Sequence, residues 1–408
     1  MDFQLTEEQK GLVALVKDFA KRVVTPAFAK ALEAKPAQER IPFLKEQGVL
    51  KTMSDLGFRT LTLPKEHGGA GVGMLTELLV CESFTRYCAP LSPAMFLLAT
   101  WKQSRDIADF GTEDQKEWFF TRLTRDPYFL IGLSGTEPDH GSDSRLPHEG
   151  PGSGMKTFAY RDGDQWVING EKCFQSGAKS DLLFVYLRTR KDLPLSQSMS
   201  VILVPTDVPG YSIPKIYEVM HEGMRPICDV RFDNVRVPVG NLLGEENKGW
   251  PLLDGRYAFC LSAQAVLLGN AERIYELTKE FARTRVQGGK PIIEHGTIGS
   301  LLVDMHMKVE DLRMRLYRTA WEIDQAVKAG RKLISPLTLY ASDLAAKETQ
   351  RLVASHAMEI WGGRGVLKEL PIESYLRSVW GHNHEIIPCS VEKIKCSHLL
   401  DWDPYLTA

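Results

Sequence analysis

Residues 130–143, Leu-Ile-Gly-Leu-Ser-Gly-Thr-Glu-Pro-Asp-His-Gly-Ser-Asp, decide the fold that this sequence predicts. The apolar run at 128–133 is typical of a buried strand. A dense cluster of turn-forming residues follows from Thr136 to Gly141. Such a turn presents the hydroxyls of Thr136 and Ser142 and several backbone N–H groups, which suits a flat heterocycle rich in acceptor atoms. An ordinary polar loop that closes a hairpin is the alternative interpretation.

A second block lies downstream of this turn. Residues 165–170, Gln-Trp-Val-Ile-Asn-Gly, alternate like a strand and end in Asn-Gly, the strongest short signal for a hairpin. The sequence therefore predicts a turn at Asn169-Gly170. A returning strand is then expected at 171–176, and it carries Phe174.

Composition bounds the class of protein. The 408 residues exceed the usual size of one domain, so we expect two or three. The hydrophobic content of 43%, the charged content of 25% and the net charge of -2 are typical of a soluble globular protein without nucleic acid or an anionic membrane as partner. The chain begins without a secretory signal, and no stretch is apolar for long enough to cross a bilayer. A cytoplasmic location is expected.

Neither the cysteines nor the histidines form a metal-binding pattern. The seven cysteines are scattered without Cys-x-x-Cys spacing, which is typical of reduced thiols. His382 and His384 precede Glu385, but they lack the His-x-x-x-His spacing of a zinc-binding helix. We therefore expect no metal site.

The hydrophobic period changes twice and divides the chain into three domains. Residues 1–125 have helical spacing, with a first helix capped by Thr6 and further helices at about 38–47, 75–88, 93–109 and 113–124. Residues 126–240 have a period of two, which predicts a small barrel or sandwich with strands near 128–134, 155–161, 165–169, 171–176, 181–188, 199–204, 211–213 and 228–233. Residues 241–408 predict a helical bundle, with long helices near 252–286, 294–329 and 336–361 and two shorter ones after them. The expected class is α+β, in the order α, β, α.

The two motif blocks together resemble the signature of a known family. Thr136-Glu137-Pro138-x-x-Gly141-Ser142-Asp143, followed by Asn169-Gly170-Glu171-Lys172, is similar to the acyl-CoA dehydrogenases, which are flavoproteins. The resemblance extends to both ends of the chain and implies a helical domain, a β domain and a four-helix bundle. It also implies FAD as cofactor and α,β-desaturation of an acyl-CoA thioester. An electron acceptor such as an electron-transfer flavoprotein and a homo-oligomer, tetramer or dimer, are implied as partners.

The resemblance assigns the flavin ring to the strand and turn at 133–142 and to the strand at 174–176. Phe174-Gln175-Ser176 stands where the family usually has Trp-x-Thr, and the resemblance implies that the phenyl ring covers the flavin and that the serine hydroxyl donates to flavin N5. The implied ring contacts are Leu133, Ser134, Thr136, Gly141, Ser142, Phe174 and Ser176. Ser142 is also implied to bind substrate.

The dinucleotide half of the cofactor is expected to meet a neighbouring subunit. Residues 285–290, Arg-Val-Gln-Gly-Gly-Lys, resemble the family's Arg-x-x-x-Gly-Lys, whose arginine faces the pyrophosphate. Residues 359–365, Glu-Ile-Trp-Gly-Gly-Arg-Gly, resemble Gln-Ile-x-Gly-Gly-x-Gly, in which paired glycines allow close approach to phosphate. The candidates are Arg285, Gly288, Glu359, Gly362 and Gly363. For the paired glycines, a simple helix break is the alternative.

The catalytic base is the place where the chain departs from the family pattern. Many relatives carry Tyr-Glu-Gly-Thr near the C-terminus, but an ungapped alignment here puts Ile386 at the base position, with Glu385 one residue away. Other relatives carry the base in Asp-x-Glu-Arg, and here that stretch is Leu253-Asp254-Gly255-Arg256. Glu385 is the first candidate and Asp254 the second, while Arg256 keeps the implied substrate-binding role. A chain with no base is the third possibility.

Three functions remain open on the sequence. The leading hypothesis is an FAD-dependent acyl-CoA dehydrogenase. The second is an oxidase or flavin monooxygenase of the same fold, which does not need the glutamate. The third is a non-catalytic subunit that completes the FAD site of an active relative.

Overall fold

The computed structural model describes residues 4–88, 93–145, 150, 153–220, 225–254, 257–330, 336–382 and 388–400. Within them a helical domain, a β domain and a second helical domain follow one another, so the predicted α, β, α order is confirmed. No helix in these parts of the chain is long and apolar enough to traverse a bilayer.

The N-terminal helices begin where the sequence provides caps. Thr6 and Thr112 each start a helix with a capping box, closed by Gln9 and Gln115 respectively. The helices are α1 (Glu7–Arg22), α2 (Pro26–Glu33), α3 (Arg40–Glu46), α4 (Val49–Asp55), α5 (Met74–Cys88), α6 (Pro93–Phe110) and α7 (Glu113–Arg125). Helices α2 and α4 were not predicted, because helices this short show too few turns for a periodic pattern.

The β domain is one twisted sheet with strand order β6-β7-β3-β2-β4-β5-β8, and β1 pairs in parallel with β4. Its strands are β1 (Ile131–Ser134), β2 (Phe158–Asp162), β3 (Gln165–Gln175), β4 (Leu182–Arg188), β5 (Met199–Pro205), β6 (Tyr211–Tyr217), β7 (Ile227–Pro238) and β8 (Leu242–Leu243). Alternate residues of β4 enter two separate apolar cores, one of which includes residues of α6 and α7. The centre of the sheet is therefore covered on both faces, and β1 is fixed beside it.

The predicted hairpin turn at Asn169-Gly170 is wrong. β3 runs through both residues, and the chain reverses instead at Gly163, between β2 and β3. Gly170 lies at a register shift against β7, and a Cβ there would come within 2.6 Å of the Thr157 Oγ1. Asn169 Oδ1 accepts a hydrogen bond from the Asn234 N–H (2.9 Å). Asn169 and Gly170 therefore form a bulge in β3, which the contacts with Thr157 and Asn234 stabilise.

The C-terminal part is dominated by long helices. The span predicted at 252–286 is described as two helices, and the one predicted at 336–361 has those bounds. The helices are α8 (Trp250–Asp254), α9 (Tyr257–Thr284), α10 (Gly296–Lys328), α11 (Pro336–Trp361), α12 (Pro371–His382) and α13 (Cys389–Ser397). A short hairpin, β9 (Val286–Gln287) with β10 (Lys290–Pro291), links α9 to α10.

A buried group of charged side chains joins α5 to the C-terminal bundle. Arg313 of α10 donates to Glu82 (Nε to Oε1, 3.0 Å) and also contacts Glu272 of α9. Arg86 of α5 donates to Glu272 (Nη1 to Oε1, 2.8 Å), and the Tyr317 hydroxyl donates to Glu82 Oε2 (2.8 Å). We call these five residues the bundle charge cluster.

Candidate active site

The turn that follows β1 is held in place by a buried ion pair. Lys172 Nζ of β3 donates to Glu137 Oε1 (2.8 Å), and neither side chain is more than 4% exposed. The backbone N–H groups of Lys156 and Thr157 donate to the two oxygens of the same carboxylate, at 2.5 and 2.9 Å. Lys172 Nζ also donates to the Gly135 carbonyl oxygen (2.9 Å). Lys172 of β3 therefore holds the turn through both the Glu137 carboxylate and the Gly135 carbonyl oxygen.

The surroundings of this pair favour a charged glutamate. Burial alone would raise the pKa of Glu137, but the Lys172 charge and the hydrogen bonds from Thr157 and Lys156 outweigh burial and lower this pKa. Burial lowers the pKa of the Lys172 ammonium, and the Glu137 charge opposes that effect. Both residues belong to the motif blocks, although the sequence did not reveal that they pair.

Two glycines bring β1 against the end of β3. A Cβ on Gly132 would lie 2.7 Å from the Gly177 Cα, and a Cβ on Gly177 would lie 2.6 Å from the Gly132 Cα. Real Cβ atoms do not approach backbone so closely, so only glycine fits at this crossing. Leu133 follows Gly132 in the chain, and Ser176 precedes Gly177. The crossing therefore brings two predicted flavin contacts from separate strands together.

Phe174 and Ser176 are displayed on one face beside the turn. Both are exposed while Cys173 and Gln175 are buried, although Phe174 lies in a register shift of β3 and Ser176 lies just beyond the end of that strand. The Cys173 N–H donates to the carbonyl oxygen of Thr136 (2.9 Å), and Gln175 Nε2 donates to the same oxygen (3.2 Å). Thr136 is itself exposed. The result is an open face that carries one phenyl ring and two hydroxyls.

Hydrogen bonds within the turn fix its far side. The His140 ring contacts Asp143 (Nδ1 to Oδ2, 2.5 Å), and the Gly141 N–H donates to Asp143 Oδ1 (2.6 Å). Burial lowers the pKa of the His140 imidazole, and the nearby Asp143 opposes this effect. Ser142 begins a short 3-10 helix and is exposed. The turn therefore presents the Ser142 side chain to solvent on a backbone that its neighbours hold.

The chemistry of this face fits a flat heterocycle such as a flavin. Leu133 and Phe174 supply apolar surface, and Thr136, Ser142 and Ser176 supply hydroxyl donors. Ser134, another predicted contact, differs from them because its side chain is buried and its Oγ has no hydrogen-bond partner within the described parts of the chain.

The two predicted dinucleotide motifs lie at neighbouring helix ends. Phe281 of α9 stacks on Trp361 of α11, with ring centroids 4.0 Å apart and ring planes 10° apart. Trp361 Nε1 donates to Thr278 Oγ1 (3.1 Å). Arg285 follows α9 directly, and the exposed residues Glu359, Gly362 and Gly363 lie at the end of α11. Gly288 lies with a φ of 60° in the β9–β10 turn, where glycine is favoured.

The residues predicted for proton transfer and for binding the thioester lie largely outside the described residues. Glu385 and Arg256 belong to stretches that the structure does not describe. Asp254 ends α8, and its side chain is likewise outside the description.

Comparison with known families covers almost the whole chain. Models of the N-terminal, middle and C-terminal domains of acyl-CoA dehydrogenases match residues 6–126, 132–235 and 247–382. A probable acyl-CoA dehydrogenase of Bacillus subtilis is 30% identical over 92% of this chain and 93% of its own length. This chain belongs to the acyl-CoA dehydrogenase family. The family comprises flavoprotein oxidoreductases that act on CoA thioesters.

Other members of the acyl-CoA dehydrogenase family also resemble this chain over most of its length. A cyclohex-1-ene-1-carbonyl-CoA dehydrogenase of Syntrophus aciditrophicus is 32% identical over 92% of this chain and 85% of its own. A glutaryl-coenzyme A dehydrogenase with bound glutaryl-CoA superposes with a TM-score of 0.86 and 27% identity, over 98% of this chain and 96% of that one. These two relatives act on different acyl groups, so similarity alone assigns no acyl group to this chain.

Proposed function

We propose that this protein is an FAD-dependent acyl-CoA dehydrogenase that introduces an α,β double bond into an acyl-CoA thioester. The observation that carries the proposal is the open face of Thr136, Phe174 and Ser176, built on the buried Glu137–Lys172 pair. Rigid donors beside an aromatic ring are what binding and orienting a flavin require. An electron-transfer flavoprotein is the proposed acceptor of the electrons.

The reaction needs a base for the α-proton and an acceptor for the β-hydride. Bound FAD supplies the hydride acceptor. The chain must supply the base, and Glu385 is our first candidate and Asp254 our second. A carboxylate in a dry pocket gains basicity because desolvation raises its pKa. Arg256 is proposed to hold the CoA thioester while Ser142 contacts it from the turn.

The proposed function is tested by anaerobic bleaching of the flavin. The purified protein should be yellow, and one member of a panel of short, branched, cyclic, aromatic and dicarboxylic acyl-CoAs should bleach its visible band. Slow reaction of the reduced protein with oxygen is expected of a dehydrogenase, whereas rapid oxygen consumption would indicate an oxidase. A protein that is colourless and does not take up FAD would contradict the proposal.

Substitution of the two acids identifies the base. Glu385→Gln should slow bleaching by about 10²-fold or more, since general base catalysis typically contributes that much. Asp254→Asn is the matched variant and should leave the rate within a few-fold. The reverse result would assign the base to Asp254, and two unaffected variants would exclude both acids.

We also propose a homo-oligomer in which Arg285 and the segment 359–363 complete the FAD site of a neighbouring subunit. The outer face of α10 supports this, because exposed apolar residues recur along it at spacings of four and seven, namely Val303, Met307, Met314 and Trp321. A solvated helix would normally carry polar residues on such a stripe.

Native mass spectrometry tests the proposed assembly. Met307→Glu combined with Met314→Glu should shift the mass toward the monomer and weaken FAD binding. Val327→Glu is the matched control, because Val327 is exposed on the same helix but lies off the stripe. An unchanged mass in the double variant would show that this stripe is not the subunit contact.

A further inference from the structure

Phe174 has a backbone conformation that aromatic residues rarely adopt. Its φ is 55°, in the left-handed region that favours glycine, and the side chain is 62% exposed. The residue lies within a register shift between Lys172 and Gln175, where β3 bulges against β7. Such strain persists only where the surrounding structure imposes it, and it is concentrated at functional sites.

Tyr217, at the end of β6, provides the main contact. The two rings stack with centroids 5.0 Å apart and planes 18° apart. The Tyr217 hydroxyl donates to Asp229 Oδ2 of the intervening strand β7 (2.9 Å), and Lys215 Nζ lies 4.4 Å from the centre of the tyrosine ring. The tyrosine ring is thus fixed at its hydroxyl and covered by a cation on one side. Nothing in the motifs of the sequence had pointed to Tyr217.

The same stack is joined to the turn at 136–142. The residues on either side of Phe174, Cys173 and Gln175, both donate to the carbonyl oxygen of Thr136. The position of the phenyl ring relative to the turn is therefore set by these two hydrogen bonds on one side and by Tyr217 on the other. The stack on Phe174 therefore connects Tyr217 to the turn.

We propose that Tyr217 is a positioning residue for the flavin: by stacking on Phe174, it holds the phenyl ring where the isoalloxazine ring of FAD binds. The inference rests on the proposed function. Asp229 has a supporting part, because it fixes the tyrosine hydroxyl. Tyr217 itself makes no contact with the reacting atoms.

The test is a double-mutant cycle on FAD binding to the apoprotein. Stacked aromatic pairs contribute enough for Tyr217→Leu to weaken FAD binding by about 2- to 12-fold. Phe174→Leu should weaken it at least as much, and the Phe174→Leu/Tyr217→Leu double variant no further than Phe174→Leu alone, because Tyr217 acts through Phe174. Tyr160→Leu, an exposed tyrosine on β2 of the same domain, is the control and should bind FAD like the wild type.

The visible absorption band of the bound flavin gives a second readout, which a merely structural role would not move. Tyr217→Leu should shift this band in the same direction as Phe174→Leu, while Tyr160→Leu should leave it in place. Unchanged binding and an unchanged band in folded Tyr217→Leu would overturn the inference, as would fully additive losses in the double variant. Failure of the wild type to bind FAD would instead overturn the proposed function.

Milder variants keep the test valid if Tyr217→Leu does not fold. Tyr217→Phe keeps the stack and loses only the hydrogen bond to Asp229. We therefore expect it to weaken FAD binding less than Tyr217→Leu does. Asp229→Asn keeps a hydrogen-bond acceptor and should bind FAD with nearly the affinity of the wild type. Tyr217→Phe with wild-type affinity and Asp229→Asn with a large loss would contradict the proposed role of the tyrosine.

Discussion

The Glu137–Lys172 ion pair and the bundle charge cluster both lie largely out of solvent, but their charges balance differently. Glu137 accepts hydrogen bonds from one lysine and two backbone N–H groups, and these donors reach both of its oxygens. In the bundle charge cluster, Glu82 and Glu272 share Arg313, and Glu272 also needs Arg86.

The pKa values of the two glutamates differ accordingly. That of Glu137 is lowered from its ordinary value of 4.5, because Lys172 and the backbone donors outweigh burial. That of Glu272 is raised to about 7, because burial, reinforced by the charge of Glu82, outweighs the two arginines. Burial therefore does not decide the charge of a carboxylate by itself; the donors and the like charges around it also count. The first site is built for rigidity, and the second can take up a proton near neutral pH.

The largest effect is expected from Lys172→Met. The substitution leaves the Glu137 carboxylate buried without its cation, and breaking a buried pair in this way costs about 3–5 kcal/mol. Urea unfolding should show this loss of stability, and FAD binding should weaken with it. The Glu137→Gln/Lys172→Met variant should recover part of the stability, since no buried charge is left. A loss under about 1 kcal/mol in Lys172→Met would contradict the assignment of a charged Glu137.

Arg313→Met should cost less, about 2–3 kcal/mol, because Glu272 keeps Arg86, Glu82 keeps the Tyr317 hydroxyl, and a proton can replace the missing cation. Thermal unfolding at pH 6 and pH 8 measures this, and the destabilisation should be larger at pH 8. Equal losses at both pH values would mean that the cluster does not take up a proton.

Glu272→Gln tests the pH dependence directly. With its pKa raised from 4.5 to about 7, Glu272 binds a proton more tightly in the folded chain than in the unfolded chain. Its contribution to stability is therefore fully present below pH 4.5 and declines as the pH rises toward 7. The melting temperature of the wild type should fall over this window relative to Glu272→Gln, by about 1 °C for each kcal/mol, because the entropy of unfolding scales with the length of the chain. Glu171→Gln, on the exposed side of β3, should not alter the slope.

The smallest effect is expected at the surface pair of Arg231 and Glu171. The side chains of Arg231 and Glu171 are 59% and 50% exposed, and Arg231 Nη2 lies 2.6 Å from Glu171 Oε1. Solvent screens such a pair, so Arg231→Ala should change the free energy of unfolding by less than about 1 kcal/mol. A larger loss would show that distance, rather than burial and donor number, governs these pairs.

Much of the architecture could be predicted because it depends on local pattern. The helical period of 3.6 residues predicted α11 with the bounds that the structure has. Thr6 and Thr112 cap their helices through hydrogen bonds to residues three positions away. The turn predicted from the Asn-Gly dipeptide was wrong, because the turn propensity of this pair is weaker than the packing of Gly170 on Thr157 and the hydrogen bond from Asn234. The predicted turn is absent, and β3 has a bulge at this position.

For this protein, the sequence by itself determined the α, β, α order and the family, because periodicity and spaced motifs are local properties of a chain. Tertiary structure alone decided that Lys172 neutralises Glu137, that Gly132 and Gly177 cross, and that Tyr217 stacks on Phe174. Each of these contacts joins residues from different strands or from a strand and a turn. Their partners are set by the packing of the sheet, which no short stretch of the sequence encodes.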